Sequence, residues 1–371
     1  MSSSKFTAEY LKEMAGKFVI DGDIISIEPY GTGHINDTFC GIFKTSKGST
    51  RYIHQRINHN IFKNPEGLME NIERVTKHLR GKITARGGNP MRETLTTIQT
   101  KNGGNLHKGT DETFWRTYVF VEGAKTYDKV EDLKMVYEAS KAFGDFQKDL
   151  ADIPGGRLVE TIPDFHHTKK RFETFEQVLK ADIKGRAKNV QAEVDFVLAR
   201  KNDASKIVDG MASGALPERI THNDTKFNNV MIDDVTKKGI CVIDLDTVMP
   251  GSPLYDFGDS VRIGTSTAVE DERDLSKVGM DLGMFERLSE GYLASAKAML
   301  TKEEKSLLAF SGKLLTFECG MRFLTDYLNG DTYFKVHRDG HNVDRCRTQF
   351  KMVSDMEKAM DKMEAIVSQY C

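Results

Sequence analysis

ITHNDTKFNNVMIDDVTKKGICVIDLD, residues 220–246, is the stretch on which the fold turns. In it Asp224 follows His222, Asn229 stands five residues beyond Asp224, and the apolar run Ile240, Cys241, Val242, Ile243 ends on Asp244. A run of that length between Lys-Gly and an acidic cluster reads as a short buried strand, which puts Asp244 where a strand stops. Val230, Met231 and Ile232 form the preceding strand, and residues 233–239 form the turn between the two. The expected hairpin holds Asn229 near Asp244 and gathers a carboxylate, an amide oxygen and a second carboxylate.

Phosphoryl transfer from a nucleotide needs those three groups. A carboxylate must orient the attacking hydroxyl and accept its proton, and hard oxygen ligands must hold the magnesium that bridges the phosphates. On this reading Asp224 is the base, and Asn229 and Asp244 are the metal ligands. The spacing fits H-x-D-x-x-x-x-N followed by a strand-borne Asp. Lys226, two residues after the base, is placed to neutralise the moving phosphoryl group. Asp256, Phe257 and Gly258 spell a triplet that carries a magnesium ligand in protein kinases, but they lie too far beyond Asp224 and follow Pro250, Gly251 and Pro253 instead of a strand. Asp256 is therefore expected to anchor or cap a helix. Asn223 stands where regulated protein kinases carry Arg, and no Ala-Pro-Glu follows, so a small-molecule acceptor is expected in place of a phosphorylation-switched loop.

THNDTKFNNVM, CVIDLDTVMPG and YDFGD, with YGTGHINDTF at residues 30–39, RYIHQRIN at 51–58 and ECGMRFLTDYL at 318–328, resemble the aminoglycoside-phosphotransferase-like kinases, and among them the N-acetylhexosamine 1-kinases. The likeness spans nearly the whole chain. It implies an α+β, bilobal protein-kinase-like fold, with a β-rich nucleotide-binding N-lobe over residues 1–122 and a mainly helical C-lobe over 123–371. It also implies ATP and Mg2+ as cofactors and phosphorylation of the anomeric C1 hydroxyl of GlcNAc or GalNAc. Arg322, Tyr333 and Asp246 would then line the sugar pocket with Asp224, unless Arg322 pairs with Asp326 and Tyr333 is a core residue, or Asp246 instead touches a second magnesium. Two other readings stay open: a kinase for an amino alcohol or aminoglycoside, and a non-catalytic nucleotide-binding scaffold.

The formal net charge of -2, with dispersed Lys and Arg, gives no basic field for nucleic acid. The five cysteines are far apart and lack the paired spacing of a zinc site. With no apolar leader and no run of membrane-spanning length, the expectation is a cytoplasmic enzyme with reduced thiols, a monomer or weak homodimer without nucleic-acid or membrane partners.

In chain order, residues 7–17 have helical spacing, and strands are expected from Ile24, over 38–44 and over 51–57. Gly31 and Gly33 would let backbone N–H groups approach phosphate oxygens, with Thr32, His34 and Asn36 beside them. Gln55 occupies the position where kinases place a lysine on the nucleotide phosphates. Either Arg56 supplies that charge after a local shift or other donors serve. Asn64 and Pro65 open a helix, on which Glu70 or Glu73 could pair with the strand cation. Residues 94–100 and 113–121 read as a hairpin across Gly103 and Gly104. Helices are expected at 174–184, 190–201, 281–300, 302–327 and 345–369, and His166-His167 reads as a loop pair instead of a metal site.

Overall fold

The computed structural model describes residues 6–31, 33, 35–46, 48–128 and 132–371. Helix α1 (Ala8–Ala15), capped by Thr7, is followed by strands β1 (Asp23–Pro29), β2 (Asp37–Thr45) and β3 (Gly48–Ile57). Then come α2 (Pro65–Ala85), the short α3 (Pro90–Glu93), β4 (His107–Lys108) and β5 (Phe114–Val119), and the antiparallel sheet runs β1-β2-β3-β5-β4. Alternation divides its two faces. Phe39, Phe43 and Trp115 pack under Leu11 and Met14 of α1, whereas Ile57, Phe114 and Tyr118 join the main core on the cleft side. Gly41 is required at the β2–β3 crossing, because a Cβ there would stand 2.8 Å from His54 Nε2.

The expected hairpin between 94–100 and 113–121 is realised differently. The first segment is extended, with Ile98 N–H donating to Thr117 O at 2.8 Å and Val119 N–H donating to Thr96 O at 2.9 Å. A second tight turn, closed by Gly109 N–H on Thr113 O at 2.8 Å, makes β4 the hairpin partner of β5. The edge of the sheet is thus shared by two short pieces of chain.

Beyond Val121 the chain enters β6 (Ala124–Lys125), α4 (Leu133–Leu150), α5 (Thr168–Ala181), α6 (Gln191–Leu198) and α7 (Lys201–Ala212). The strands β7 (Arg219–Thr221), β8 (Val230–Asp233), β9 (Gly239–Val242) and β10 (Met249–Gly251) follow, and then α8 (Pro253–Gly264), α9 (Leu282–Ala296), α10 (Lys302–Ser306), α11 (Leu308–Asn329) and α12 (His341–Tyr370). The helix expected over 302–327 breaks at Leu307. Thr301 and Glu304 form a capping box on α10, and the buried Glu304 carboxylate receives the Arg219 fork at 2.8 and 2.9 Å. The lobes meet along α2, where the buried Asn71 side chain donates to Val159 O at 2.7 Å and Val248 O at 3.1 Å. Arg92 adds a second tie, reaching Glu122 O, Gly123 O and the Asp233 carboxylate. Among the described residues no helix is long and apolar enough to cross a membrane.

His54 is buried between the sheet and α1, with Nδ1 2.8 Å from Thr117 Oγ1 and Nε2 without a partner. Burial pulls its pKa down to about 4. The folded protein holds the neutral ring, so this stability is complete above the unfolded value of about 6.5 and is lost as pH falls toward 4. Urea denaturation at about pH 7.5 and about pH 4.5 should show the wild type losing about 2 kcal/mol more than His54→Gln. Equal losses in the two proteins would contradict this.

Candidate active site

The segment from β7 to β9 is held in shape by backbone bonds and by two residues in left-handed conformations. β8 and β9 pair antiparallel, Val230 opposite Val242 and Met231 opposite Cys241. Beyond the strand ends Ile243 N–H donates to Asn229 O at 2.9 Å. Asn223 (φ 65°) and Asp244 (φ 59°) occupy the left-handed region, which non-glycine residues hold only when their surroundings impose it. The surroundings are visible. His222 sits between Phe143 and Phe146, accepts Asp224 N–H at its Nδ1 and donates from Nε2 to Ile243 O at 2.9 Å. That pattern requires the tautomer with its proton on Nε2.

Helix α8 braces the same loop from below. Asp256 accepts His222 N–H at 2.8 Å, Asn223 N–H at 2.6 Å and the Gln147 amide at 2.6 Å. One turn on, Asp259 accepts Thr225 N–H at 3.1 Å and pairs with Arg262. Asp256 is fully buried and faces loop backbone, and the cap of α8 is Ser252. Of the two structural roles expected for Asp256, it fills the anchoring one.

The loop delivers Asp224 with its carboxylate 2.9 Å from Lys226 Nζ and 3.2 Å from the Asn229 amide nitrogen, which also donates to Asp224 O at 2.8 Å. The nitrogen of Asn229 is thereby engaged, leaving Oδ1 as its acceptor. Burial opposes the Lys226 charge, but Asp224, Asp244 and Asp259 more than offset this and raise its pKa. Asp244 keeps contact with solvent but stands among other carboxylates, and burial together with that crowding raises its pKa. Burial, then Asp246 and Asp224, push its carboxyl up to about 6, with Lys226 and His222 pulling the other way. A carboxylate repelled by its neighbours and an amide oxygen from the facing strand end are donor types that suit a hard divalent cation. Magnesium needs only one or two carboxylates when waters and phosphates complete its shell.

Three expected site residues are committed elsewhere. Asp246 is buried, ion-paired with Arg116 of β5 and accepting the Asn36 amide at 2.5 Å, so it does not line an open sugar pocket. Asn36 also accepts Asn58 N–H at 2.9 Å, so its side chain ties the β1–β2 loop to Asp246 and is not a free phosphate donor. Arg56 points away from the cleft. It shares a sheet face with Asp37 and Trp115, pairs with Asp37 and lies 5.4 Å from the Phe6 ring. Gln55 faces the cleft and accepts Arg116 Nε–H at 3.0 Å and Nη2–H at 2.8 Å, so the buried cation stands one strand over from the expected place. Neither Glu70 nor Glu73 forms an ion pair among the described residues. A side chain added at Gly31 (φ 80°) or Gly33 would meet open space, while Thr32 and His34 lie outside the described residues.

On α11, Arg322 does not pair with Asp326. Asp326 instead accepts the Thr332, Tyr333 and Phe334 backbone N–H groups and the Asn342 amide, holding the turn after the helix. The Arg322 guanidinium rests 5.8 Å from the Tyr333 ring and 5.4 Å from Phe334, and Tyr333 is 70% exposed. Arg171 of α5 shares this neighbourhood, which nothing in its sequence spacing announced. It donates to Phe165 O at 3.1 Å, its Nε is buried without a partner, and burial and then Arg322 lower its pKa. Among the described residues neither arginine has a carboxylate within ion-pairing distance. His166, expected as an ordinary loop residue, is a buried link to the loop, with Nδ1 3.0 Å from Glu318 and Nε2 3.0 Å from Asn223 O. Both partners accept. Burial opposes the imidazolium, but Glu318 more than offsets it and raises the His166 pKa.

Residues 26–287 match the model of the phosphotransferase enzyme family. Among solved structures, an aminoglycoside phosphotransferase from Alicyclobacillus acidocaldarius superposes with a TM-score of 0.60 at 12% identity, covering 99% of this chain and 98% of that one. A spectinomycin phosphotransferase in complex with ADP and spectinomycin gives 0.56 at 13% identity, covering 97% and 100%. An ethanolamine kinase from Plasmodium vivax gives 0.53 at 14% identity, covering 93% and 90%. At these identities the likeness shows a shared kinase-like fold.

Asp256→Ala would leave two buried backbone N–H groups and the Gln147 amide without an acceptor. Each orphaned group costs about 1–3 kcal/mol. Urea denaturation should show a loss of about 3 kcal/mol or more, and a loss below about 1 kcal/mol would contradict the bracing role.

Proposed function

Since this chain belongs to the phosphotransferase enzyme family, we propose that it transfers the γ-phosphoryl group of ATP to the anomeric C1 hydroxyl of an N-acetylhexosamine, GlcNAc or GalNAc, giving the sugar 1-phosphate. The observation that carries the chemistry is the meeting of Asp224, Lys226 and Asn229 at one end of the β8–β9 hairpin, with Asp244 at the other strand's end. Asp224 orients the hydroxyl and takes its proton as the C1 oxygen–phosphorus bond forms and the bond from the γ-phosphorus to the bridging oxygen of ADP breaks. An anomeric hydroxyl is more acidic than other sugar hydroxyls, so a carboxylate suffices as a late proton acceptor. Lys226 follows the charge of the transferring group. Asn229 Oδ1 and Asp244 would hold Mg2+, which when bound neutralises phosphate charge and orients the γ-phosphoryl group. The rest of the chain's contribution is positioning.

The acceptor class is supported by two neighbouring arginines that lack an ion-pairing carboxylate among the described residues. Ethanolamine and aminoglycosides are cations at neutral pH and call for carboxylates. Here Arg322 and Arg171 present cationic donors, and Tyr333 offers a flat, exposed ring. Guanidinium N–H groups suit ring and acetamide oxygens, and an aromatic face suits the apolar side of a sugar.

An ATP-consumption screen over N-acetylhexosamines, hexoses, choline and aminoglycosides, with phosphorus NMR of the product, tests this directly. Turnover with GlcNAc or GalNAc and an anomeric phosphate signal are expected; turnover confined to the cationic acceptors would overturn the acceptor assignment. Asp224→Asn should keep ATP binding and lose about two to four orders of magnitude in kcat, the range for loss of a general base. Near-normal kcat in that variant would remove Asp224 from its role. Arg322→Ala should raise the acceptor KM by about tenfold or more with ATP affinity unchanged, as expected for a lost charge-assisted hydrogen bond.

A further inference from the structure

Protein kinases place a lysine on the third strand to meet the nucleotide phosphates. β3 here carries Gln55 at that position, and Arg56 beside it faces the opposite side of the sheet. The nearest buried cation facing the cleft is Arg116, directly across the β3–β5 ladder from Gln55. We propose that Arg116 takes over the strand lysine's place, and that its lobe-spanning pair with Asp246 positions Asp244 against the nucleotide phosphates.

The local chemistry is built for that role. Gln55 donates from Nε2 to Thr38 Oγ1 at 3.0 Å, which turns its amide oxygen toward Arg116, and that oxygen accepts from both Nε and Nη2. Gln55 thus becomes a holder for a cation on the neighbouring strand. Arg116 Nη1 reaches Asp246, and the Tyr118 ring lies 5.2 Å from the guanidinium carbon. The described residues occupy three of the five guanidinium N–H groups, so the cation is held from both lobes at once.

Asp246 has its second oxygen on Asn36, so the β1–β2 loop, β5 and the segment after β9 converge on one carboxylate. That carboxylate is two residues from Asp244, inside the single 3-10 turn Leu245–Thr247 that Asp244 precedes. The pair's side chains are 1% and 3% exposed. Burying an ion pair contributes little net stability compared with apolar residues of the same volume, because desolvation offsets the attraction. A buried pair that joins two lobes beside a candidate metal ligand is better explained by positioning. Removing the guanidinium would leave Asp246 an uncompensated buried anion next to Asp244.

The test uses calorimetric titration of the full chain with ATP, with and without Mg2+, and needs no acceptor, so its failure is distinguishable from failure of the sugar assignment. Arg116→Gln should weaken Mg·ATP binding by about tenfold to a hundredfold and reduce the Mg2+-dependent gain in affinity. Gln55→Leu keeps the cation but removes its holder, and should weaken Mg·ATP binding by about fivefold with folding retained. Gln55→Lys combined with Arg116→Gln returns the charge to β3 and should recover about tenfold over Arg116→Gln alone. A folded Arg116→Gln protein with Mg·ATP affinity within about twofold of wild type would overturn the proposal. If that variant does not fold, unchanged Mg·ATP affinity in Gln55→Leu would overturn it instead.

Discussion

The Asp256 carboxylate is the constraint on which the rest of the site depends. It lies fully buried on α8 and receives two consecutive backbone N–H groups, from His222 and Asn223. The buried charge is tolerable because those donors, together with Gln147, are arranged around it. With the two N–H groups fixed, Asn223 is held in its left-handed conformation and the position of Asp224 follows from it. Asp259, one helical turn along, fixes Thr225 in the same way. A loop that would otherwise be mobile becomes an extension of a buried helix.

The second half of the site rests on a different principle. Asn229 and Asp244 sit at paired ends of the β8–β9 ladder, so their separation is set by strand register and not by side-chain choice. His222 closes the square by bonding Ile243 O from the loop side. The N-lobe contributes through Arg116 and Asn36, which both end on Asp246. Strand β5, the loop carrying Asp224 and the turn carrying Asp244 are thus connected by direct polar contacts, and a relative movement of the lobes would have to break or carry them.

Much of this is legible in the letters. The spacing of Asp224, Asn229 and Asp244 around two short apolar runs encodes a hairpin, because each run is too short for a helix and ends on turn residues. Asp256 reads as structural because it lies too far beyond Asp224, although a short strand, β10, does precede its helix where none was expected. The capped start of α2 at Asn64-Pro65 is equally local. What the sequence does not display is set by packing. Arg116 carries no motif of its own, and its importance comes from standing opposite Gln55 in a cross-strand pair. Period-2 alternation alone forbids Gln55 and Arg56 from serving the same face, a constraint that favours a donor other than Arg56. Arg171 and Arg322 belong to separate helices, and only the packing of α5 on α11 brings them together. The break at Leu307 follows from the buried bond between Glu304 and Arg219, which no periodicity reveals.

The proposed chemistry requires that one hairpin bring a proton acceptor and a divalent-cation site to a single point. Anomalous diffraction from crystals grown with Mn2+ and a non-hydrolysable ATP analogue measures it most directly. The expected result is manganese bound by Asn229 Oδ1 and the Asp244 carboxylate, with Asp224 unligated and facing the acceptor side. Manganese on Asp256, or at a position touching neither Asn229 nor Asp244, would contradict it.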